Sequence, residues 1–300
     1  MVIITDVNSR TGSALASRLL KAGETVRGID DSRTKMAHLI SEGMDGAVGD
    51  IADPVFLSSA VEDADTLFLI VPMKTDRENY GRYFINIGNS VLKAGSKSKL
   101  KNVFFVSVMG APEREEAGLI SGYGDIEEIL DILELENRAM FRPGYFMDHL
   151  LAKIPMIKEK DHIGEVINGD VPIYFSDIGD TVEQIASAYL NKEYSGRSVI
   201  EMYSDTLSLR TAVKIIGESI GIPELPFVQY SDQGYRNHLL QQKTSIPFAN
   251  ASVEMAHAVS RGVVKPSLIN PQVPNCPTRF SEFVQKVFVP AYRCNEKYFK

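Results

Sequence analysis

Short apolar runs alternate with segments of helical spacing through the first half of the chain. Residues 2–5 read as a buried strand. Residues 13–22 read as a helix with Leu15, Leu19 and Leu20 on one face, stopped by Gly23. Residues 25–29 and 46–48 predict the second and third strands, with helices over 33–41 and 54–61. The unbroken apolar runs 66–71 (TLFLIV) and 103–108 (VFFVSV) have the length and composition of central parallel strands, buried on both faces. Helices over 79–93 and 127–135 and a sixth strand over 139–141 complete the series. Such alternation requires right-handed crossovers, which makes residues 1–150 an α/β domain with a Rossmann-like, doubly wound parallel sheet. An all-helical reading fails on the β-rich runs.

After residue 150 the rhythm changes. Short strands are expected within 163–174 and at 198–202, helices over 181–190 and 208–217, and a closing helix over 279–287. Residues 223–250 fit no element. The economical reading is a smaller C-terminal α+β lobe over 151–300, packed on the first domain and serving a substrate or a partner.

The 300 residues carry a formal net charge of −7, which argues against a broad basic face for nucleic acid. Cys276 and Cys294 sit in neither a CxxC nor a metal-ligand spacing, so a reduced pair is expected over a disulfide, and no metal site is predicted. No apolar run approaches the ~20 residues of a membrane span, and residues 1–5 lack the features of a signal peptide. A soluble, cytoplasmic protein with a small-molecule ligand is the expectation.

The first strand-to-helix turn reads Thr5-Asp6-Val7-Asn8-Ser9-Arg10-Thr11-Gly12. It resembles the TGATGxxG turn of extended and atypical short-chain dehydrogenases, with Asp6, Ser9 and Gly12 at the glycine positions. Gly49-Asp50-Ile51 with Asp53-Pro54, Leu69-Ile70-Val71-Pro72, Phe105-Val106-Ser107 and Arg142-Pro143-Gly144-Tyr145-Phe146-Met147 follow in the family's order. Together they resemble the NmrA-like group of these proteins over residues 1–150. The resemblance implies an NAD(P)-binding crevice formed by Asn8, Ser9, Arg10, Thr11, Gly12, Asp30, Asp31, Asp50, Ile51, Val71, Pro72 and Ser107.

Helix N-terminal amides and the helix dipole can hold a pyrophosphate at such a turn. Here Asp6 places a carboxylate near the anion, and Ser9 adds a side chain where bare backbone is usual. Asp30 and Asp31 follow the second strand, where a carboxylate accepts from the ribose diol and repels a 2′-phosphate. The expectation from them is NAD(H) over NADP(H), although Arg33 is near and Asp31 or Ser32 could instead cap a helix. Loss of the dinucleotide altogether is the rival reading of the degraded turn.

The Tyr-xxx-Lys pair of short-chain dehydrogenases is missing, since Tyr123 is followed four residues on by Glu127. A carboxylate there would raise the phenol pKa, the wrong direction for a base. Tyr123, His149 and Ser107 remain as catalytic candidates, with backbone pairing the favoured reading of the last. Tyr123, Tyr145 and Phe146 are candidates for the substrate-pocket wall, or for ordinary core. Three functions are compatible with this: a cofactor-binding sensor with a protein partner or a second copy, a reductase of quinones, imines or activated alkenes, and a cofactor-independent cyclase or isomerase.

Overall fold

The central strands, Val2–Thr5, Thr66–Leu69 and Asn102–Val106, are apolar because they are covered on both faces. Alternate residues serve opposite sides, so Ile3, Leu67, Leu69, Val103 and Phe105 meet one helical layer, while Val2, Ile4, Phe68, Phe104 and Phe141 meet the other. The computed structural model describes residues 1–113, 115–268 and 275–294. Strands β1 (Val2–Thr5), β2 (Val26–Asp30), β3 (Asp45–Val48), β4 (Thr66–Leu69), β5 (Asn102–Val106), β6 (Asn137–Pro143) and β10 (Gly196–Met202) form a seven-stranded sheet. Its order is β10-β6-β5-β4-β1-β2-β3, with every described pairing parallel. The expected α/β, doubly wound sheet is therefore present.

The order reverses between β1 and β4, which opens a crevice at the strands' C-terminal ends. Helix α1 (Arg10–Lys21) begins there, capped by Ser9, whose hydroxyl accepts from the Gly12 amide at 3.0 Å. Helices α3 (Pro54–Ala60), α4 (Tyr80–Gly95) and α5 (Leu119–Ile132) cover one face. Helix α2 (Ala37–Ser41) and α7 (Ile178–Leu190) join α1 on the other. The Thr5 hydroxyl donates to the Ile70 carbonyl at 2.6 Å and accepts from the Ile70 amide at 2.8 Å, which pins β1 to the end of β4.

The second cluster of elements packs around its own core, which includes Met147, Leu151, Phe175, Val213, Phe280 and Phe288. Strand β7 (Tyr145–Phe146) pairs with β9 (Pro172–Ser176), which pairs with β11 (Asp205–Ser208). Strand β8 (Ile163–Glu165) pairs with β12 (Phe227–Gln229). Between β7 and β8 lie a 3-10 stretch (Met147–Lys153) and α6 (Ile154–Lys160). Helix α8 (Leu209–Ile220) precedes β12. The stretch without a clear pattern contains α9 (Asp232–Gln241) and the start of α10 (Ile246–Ser260). A final helical run, α11 (Phe280–Phe283) through a π segment to α12 (Val289–Arg293), closes the described chain. No helix among the described residues is long and apolar enough to cross a membrane.

Gly144 shows why the Arg142-Pro143-Gly144 run is needed. A Cβ there would lie 2.0 Å from the Tyr174 carbonyl oxygen. Only a glycine lets the chain leave β6 and enter β7 so close to β9.

Candidate functional site

The β1–α1 turn is held from within. Asp6 adopts a left-handed backbone with φ 49, and its carbonyl accepts from the Ser9 amide at 2.9 Å and the Ser9 hydroxyl at 2.7 Å. A Cβ on Gly12 would lie 2.3 Å from that carbonyl, so Gly12 serves helix-to-turn packing. Burial, followed by the charge of Asp30, pushes the Asp6 carboxyl up to about 6. The first amides of α1, on Arg10 and Thr11, have no acceptor within the helix. Beside them the side-chain amide of Asn8 is buried with neither polar atom paired to protein. Arg10 extends to Asp148 at 2.6 Å, joining the turn to the second lobe. The residues thus fit an anionic group, apart from the carboxylate of Asp6.

Asp30 holds the turn. Its carboxylate accepts from the Asn8 amide at 3.2 Å and the Asp31 amide at 2.8 Å. Asp31 is paired with Lys74 at 2.5 Å and with Lys35 at 3.7 Å. The hydrogen bond from Lys74 is the main reason the Asp31 carboxyl sits at about 2. Asp50 accepts from the Ala52 amide at 2.9 Å and pairs with Arg77 at 2.9 Å. Ile51 and Val71 are buried, and Pro72 is half-buried. Arg77 also lies over the Tyr83 ring at 5.0 Å, and the Tyr83 hydroxyl is buried without a protein partner. Lys74 and Arg77 were not among the residues read from the sequence. Their only sequence signal is their position just after Pro72.

Ser107 is buried, and its hydroxyl is engaged within the protein. Its hydroxyl donates to Glu127 at 2.5 Å, and Glu127 is bound by Arg142 through Nε at 3.0 Å and Nη2 at 2.5 Å. Glu201 lies 4.0 Å beyond on the other side of the guanidinium. Glu127, Arg142 and Glu201 are all buried. The position that carries lysine in the Tyr-xxx-Lys pair therefore carries one end of an internal ion network. Tyr123 stacks on Phe105 at 6.0 Å and contacts Phe84 at 5.1 Å. Burial first, then the charge of Asp6, pushes its phenol up to about 12. The expected upward direction holds, but Asp6 and not Glu127 supplies the charge.

Across the crevice, Tyr145 and Phe146 meet the His149 ring edge-on at 5.1 and 6.0 Å. His149 keeps solvent contact although protein surrounds it, as a group on a crevice wall does, and burial lowers its pKa. The imidazole is thus neutral near pH 7. Behind it, Lys153 pairs with Glu165 at 2.5 Å, and burial, then the charge of the same carboxylate, raises the Tyr235 phenol of α9. Burial, then Glu165, raises the Tyr145 phenol as well. None of Lys153, Glu165 and Tyr235 was legible beforehand, because β8 and α9 are far from β7 in sequence. The cluster contains Lys153 and Glu165 as a matched pair and a neutral imidazole. It is polar without being charged.

A groove of about 500 Å³ on the outer side of Arg10 is lined by Ser13, Ser17, Leu151, Lys286 and Pro290. Its two cations are already paired, Arg10 with Asp148 and Lys286 with Glu282. The crevice at the sheet ends carries the unpaired groups and is the candidate site.

No curated protein matches the sequence. Among solved structures, the NADPH-dependent quinone oxidoreductase of Escherichia coli complexed with NADPH is similar with TM-score 0.78 and 19% identity, over 96% of this chain and 100% of that one. A nucleoside-diphosphate-sugar epimerase from Staphylococcus aureus gives TM-score 0.80 and 14% identity, over 95% and 99%. The triphenylmethane reductase of a Citrobacter species complexed with NADP(H) gives 0.74 and 16%, over 95% and 99%. These likenesses show the fold over nearly the whole chain. They also correct the expectation of NAD(H), since the cofactors held by these similar structures are NADPH and NADP(H). The physical reason lies in the carboxylates that suggested it. Asp30 is spent on the turn, and Lys74 and Lys35 neutralise Asp31, so the repulsion of a 2′-phosphate is removed. Residues 2–262 match the profile of the NmrA-like family, and the chain belongs to that family.

Proposed function

We propose that the chain binds NADP(H) in the crevice at the β1–β4 reversal and reduces an uncharged, electron-poor acceptor such as a quinone. The observation that carries the reading is the buried, unpaired amide of Asn8 beside the free first amides of α1. A buried polar side chain without a partner costs ~1–3 kcal/mol unless a ligand meets it. The diphosphate would be held by the Arg10 and Thr11 amides and by Asn8. Lys74, Lys35 and Arg33 would face the 2′-phosphate, with Asp50 and Tyr83 at the adenosine end. The cofactor when bound supplies the hydride.

The chain's own side chains position the acceptor and exclude water rather than run a Tyr–Lys relay. Ser107 is committed to Glu127, and the Tyr123 phenol is too weak an acid to exchange protons readily near pH 7. His149, neutral and wetted, is the group placed to pass a proton, and the rings of Tyr145 and Phe146 would flank a planar substrate. The matched Lys153–Glu165 pair leaves no net charge behind them, which suits a neutral acceptor. A sensor that binds the dinucleotide without turnover is the second reading, favoured by the withdrawal of Ser107 into the ion network.

Calorimetric titration tests the binding step. NADPH is expected to bind at least tenfold more tightly than NADH, a margin of ~1.4 kcal/mol that one phosphate–ammonium contact readily supplies. Lys74→Met should reduce that preference, because it removes the cation and also leaves Asp31 less compensated. Binding of neither dinucleotide, or tighter binding of NADH, would overturn the reading. Oxidation of NADPH with a quinone panel then separates reductase from sensor.

A further inference from the structure

Residues 72–79 run from β4 to α4 as a strap over the carboxylates of the crevice. Lys74 reaches Asp31 and Arg77 reaches Asp50, at 2.5 and 2.9 Å. Among the described residues, Ser245 holds the strap's own backbone from the C-terminal half of the chain. The Ser245 amide donates to the Thr75 carbonyl at 2.8 Å, and the Ser245 hydroxyl donates to the Arg77 carbonyl at 2.6 Å. Ser245 is also the N-cap of α10, accepting from the Phe248 amide at 3.2 Å. Ring contact between Tyr80 and Phe248, at 5.3 Å, makes the same junction firm.

The helix before this junction is loosely seated. No residue of α9 is buried. It is tied to α10 by Asp232 with His257 at 2.9 Å and by Arg236 with Asn250 at 2.9 Å. On its other side, the half-buried Tyr235 packs on the core that holds Leu151 and Ile163, where the charge of Glu165 acts on its phenol. The joint between α9 and α10 holds Lys243 at φ 63 and the Thr244 hydroxyl buried without a protein partner. A left-handed non-glycine residue and an unpaired buried hydroxyl are both costly.

We infer that Ser245 is a positioning residue through which occupancy of the dinucleotide crevice is felt at α9, the helix that covers the substrate crevice. The inference rests on the reading that NADP(H) binds between the strap and the β1–α1 turn. A 2′-phosphate competes with Asp31 for Lys74, and an adenosine between Asp50 and Tyr83 displaces Arg77. The strap then resettles on the ligand. Its Thr75 and Arg77 carbonyls carry Ser245 with them, and with Ser245 the first turn of α10 and the joint to α9. Tyr235 is thereby pressed onto Glu165, and the crevice closes over the acceptor after the cofactor is in place. The coupling needs no wire beyond these hydrogen bonds, because no residue of α9 is fully buried.

Amide hydrogen exchange of the full chain, with and without saturating NADPH, reads this directly. Exchange over 232–241 is expected to slow at least threefold on NADPH addition, although no residue of α9 would touch the dinucleotide. Ser245→Asp keeps an N-cap acceptor and loses the hydroxyl donor to Arg77. It is expected to bind NADPH within tenfold of the parent while the change over 232–241 falls to less than half, because the main-chain amide still holds the Thr75 carbonyl. Ser245→Ala, which also loses the cap, provides a second variant should the carboxylate disturb folding. If calorimetry shows NADPH bound and α9 exchanges unchanged, the coupling is wrong and the cofactor reading stands. Slowing in Ser245→Asp equal to that in the parent also overturns the role of Ser245. If calorimetry shows no NADPH binding, both the cofactor reading and this inference fall.

Discussion

Asp6→Gly is expected to tighten NADPH binding by roughly tenfold at pH 7.5, because an ionised carboxylate a few ångströms from a diphosphate opposes it by ~1 kcal/mol or more. The same substitution should stabilise the unliganded chain. Burial and Asp30 raise the Asp6 carboxyl from 3.8 to about 6, which at ~1.4 kcal/mol per pKa unit is a penalty of up to about 3 kcal/mol above pH 6. The sign follows from proton binding. The folded chain holds this proton more tightly than the unfolded chain, so the contribution to stability is complete below about 3.8 and is lost as pH rises through about 6. Asp6→Asn isolates the charge, and Asp6→Gly also relieves the left-handed backbone at φ 49. Urea denaturation at pH 4 and pH 8 should show Asp6→Asn gaining on the parent only at the higher pH. Titrations at pH 5.5 and 8 should show the affinity gap narrowing at the lower pH, and comparison with the variant removes the ligand's own titration. Equal NADPH affinity of parent and Asp6→Asn at pH 8 would mean that Asp6 does not face the diphosphate.

The sheet was legible because its strands are apolar on both faces and its helices fill the intervals. The runs at 66–71 and 103–108 became β4 and β5, the middle of the sheet. Helix α5 was read as starting at Glu127 but begins at Leu119, since Gly122 and Gly124 break the helical pattern. Gly122 is there to admit the Phe84 ring, which a Cβ would approach to 2.4 Å. The unassigned stretch 223–250 hid α9 for the opposite reason. A helix that buries none of its residues has no apolar stripe to read. The turn was located correctly in the chain, but its electrostatics were not. Whether Asp31 repels a phosphate depends on Lys74, which lies 43 residues away and arrives by the path of a loop. The same holds for Ser107, whose role is fixed by Glu127 on a helix 20 residues on.

Glu127→Ala is expected to cost ~3–5 kcal/mol of stability, the usual penalty for removing one partner of a buried ion pair. Among the described residues, Arg142 would then keep Glu201, at 4.0 Å, whose carboxylate is already engaged by the Ser267 amide and hydroxyl and by the Leu268 amide at 2.7, 2.8 and 2.7 Å. Glu127→Gln keeps the shape and one acceptor, and should cost less than the alanine. Pairing Glu127→Leu with Arg142→Met removes the charges together. It should recover part of the loss, although Glu201 then loses its nearby cation. The network also explains why a single change does not rebuild a Tyr–Lys relay. Glu127→Lys would set an ammonium against the guanidinium of Arg142 in a buried position, where like charges repel strongly. The lysine would turn away from Tyr123 or the chain would unfold, and neither outcome lowers the phenol pKa. Urea unfolding of the four variants provides the energies, and the pH dependence of Tyr123 ionisation in Glu127→Lys provides the second readout. A Glu127→Ala chain within 1 kcal/mol of the parent would show that water reaches Arg142 and that the ion network is not closed.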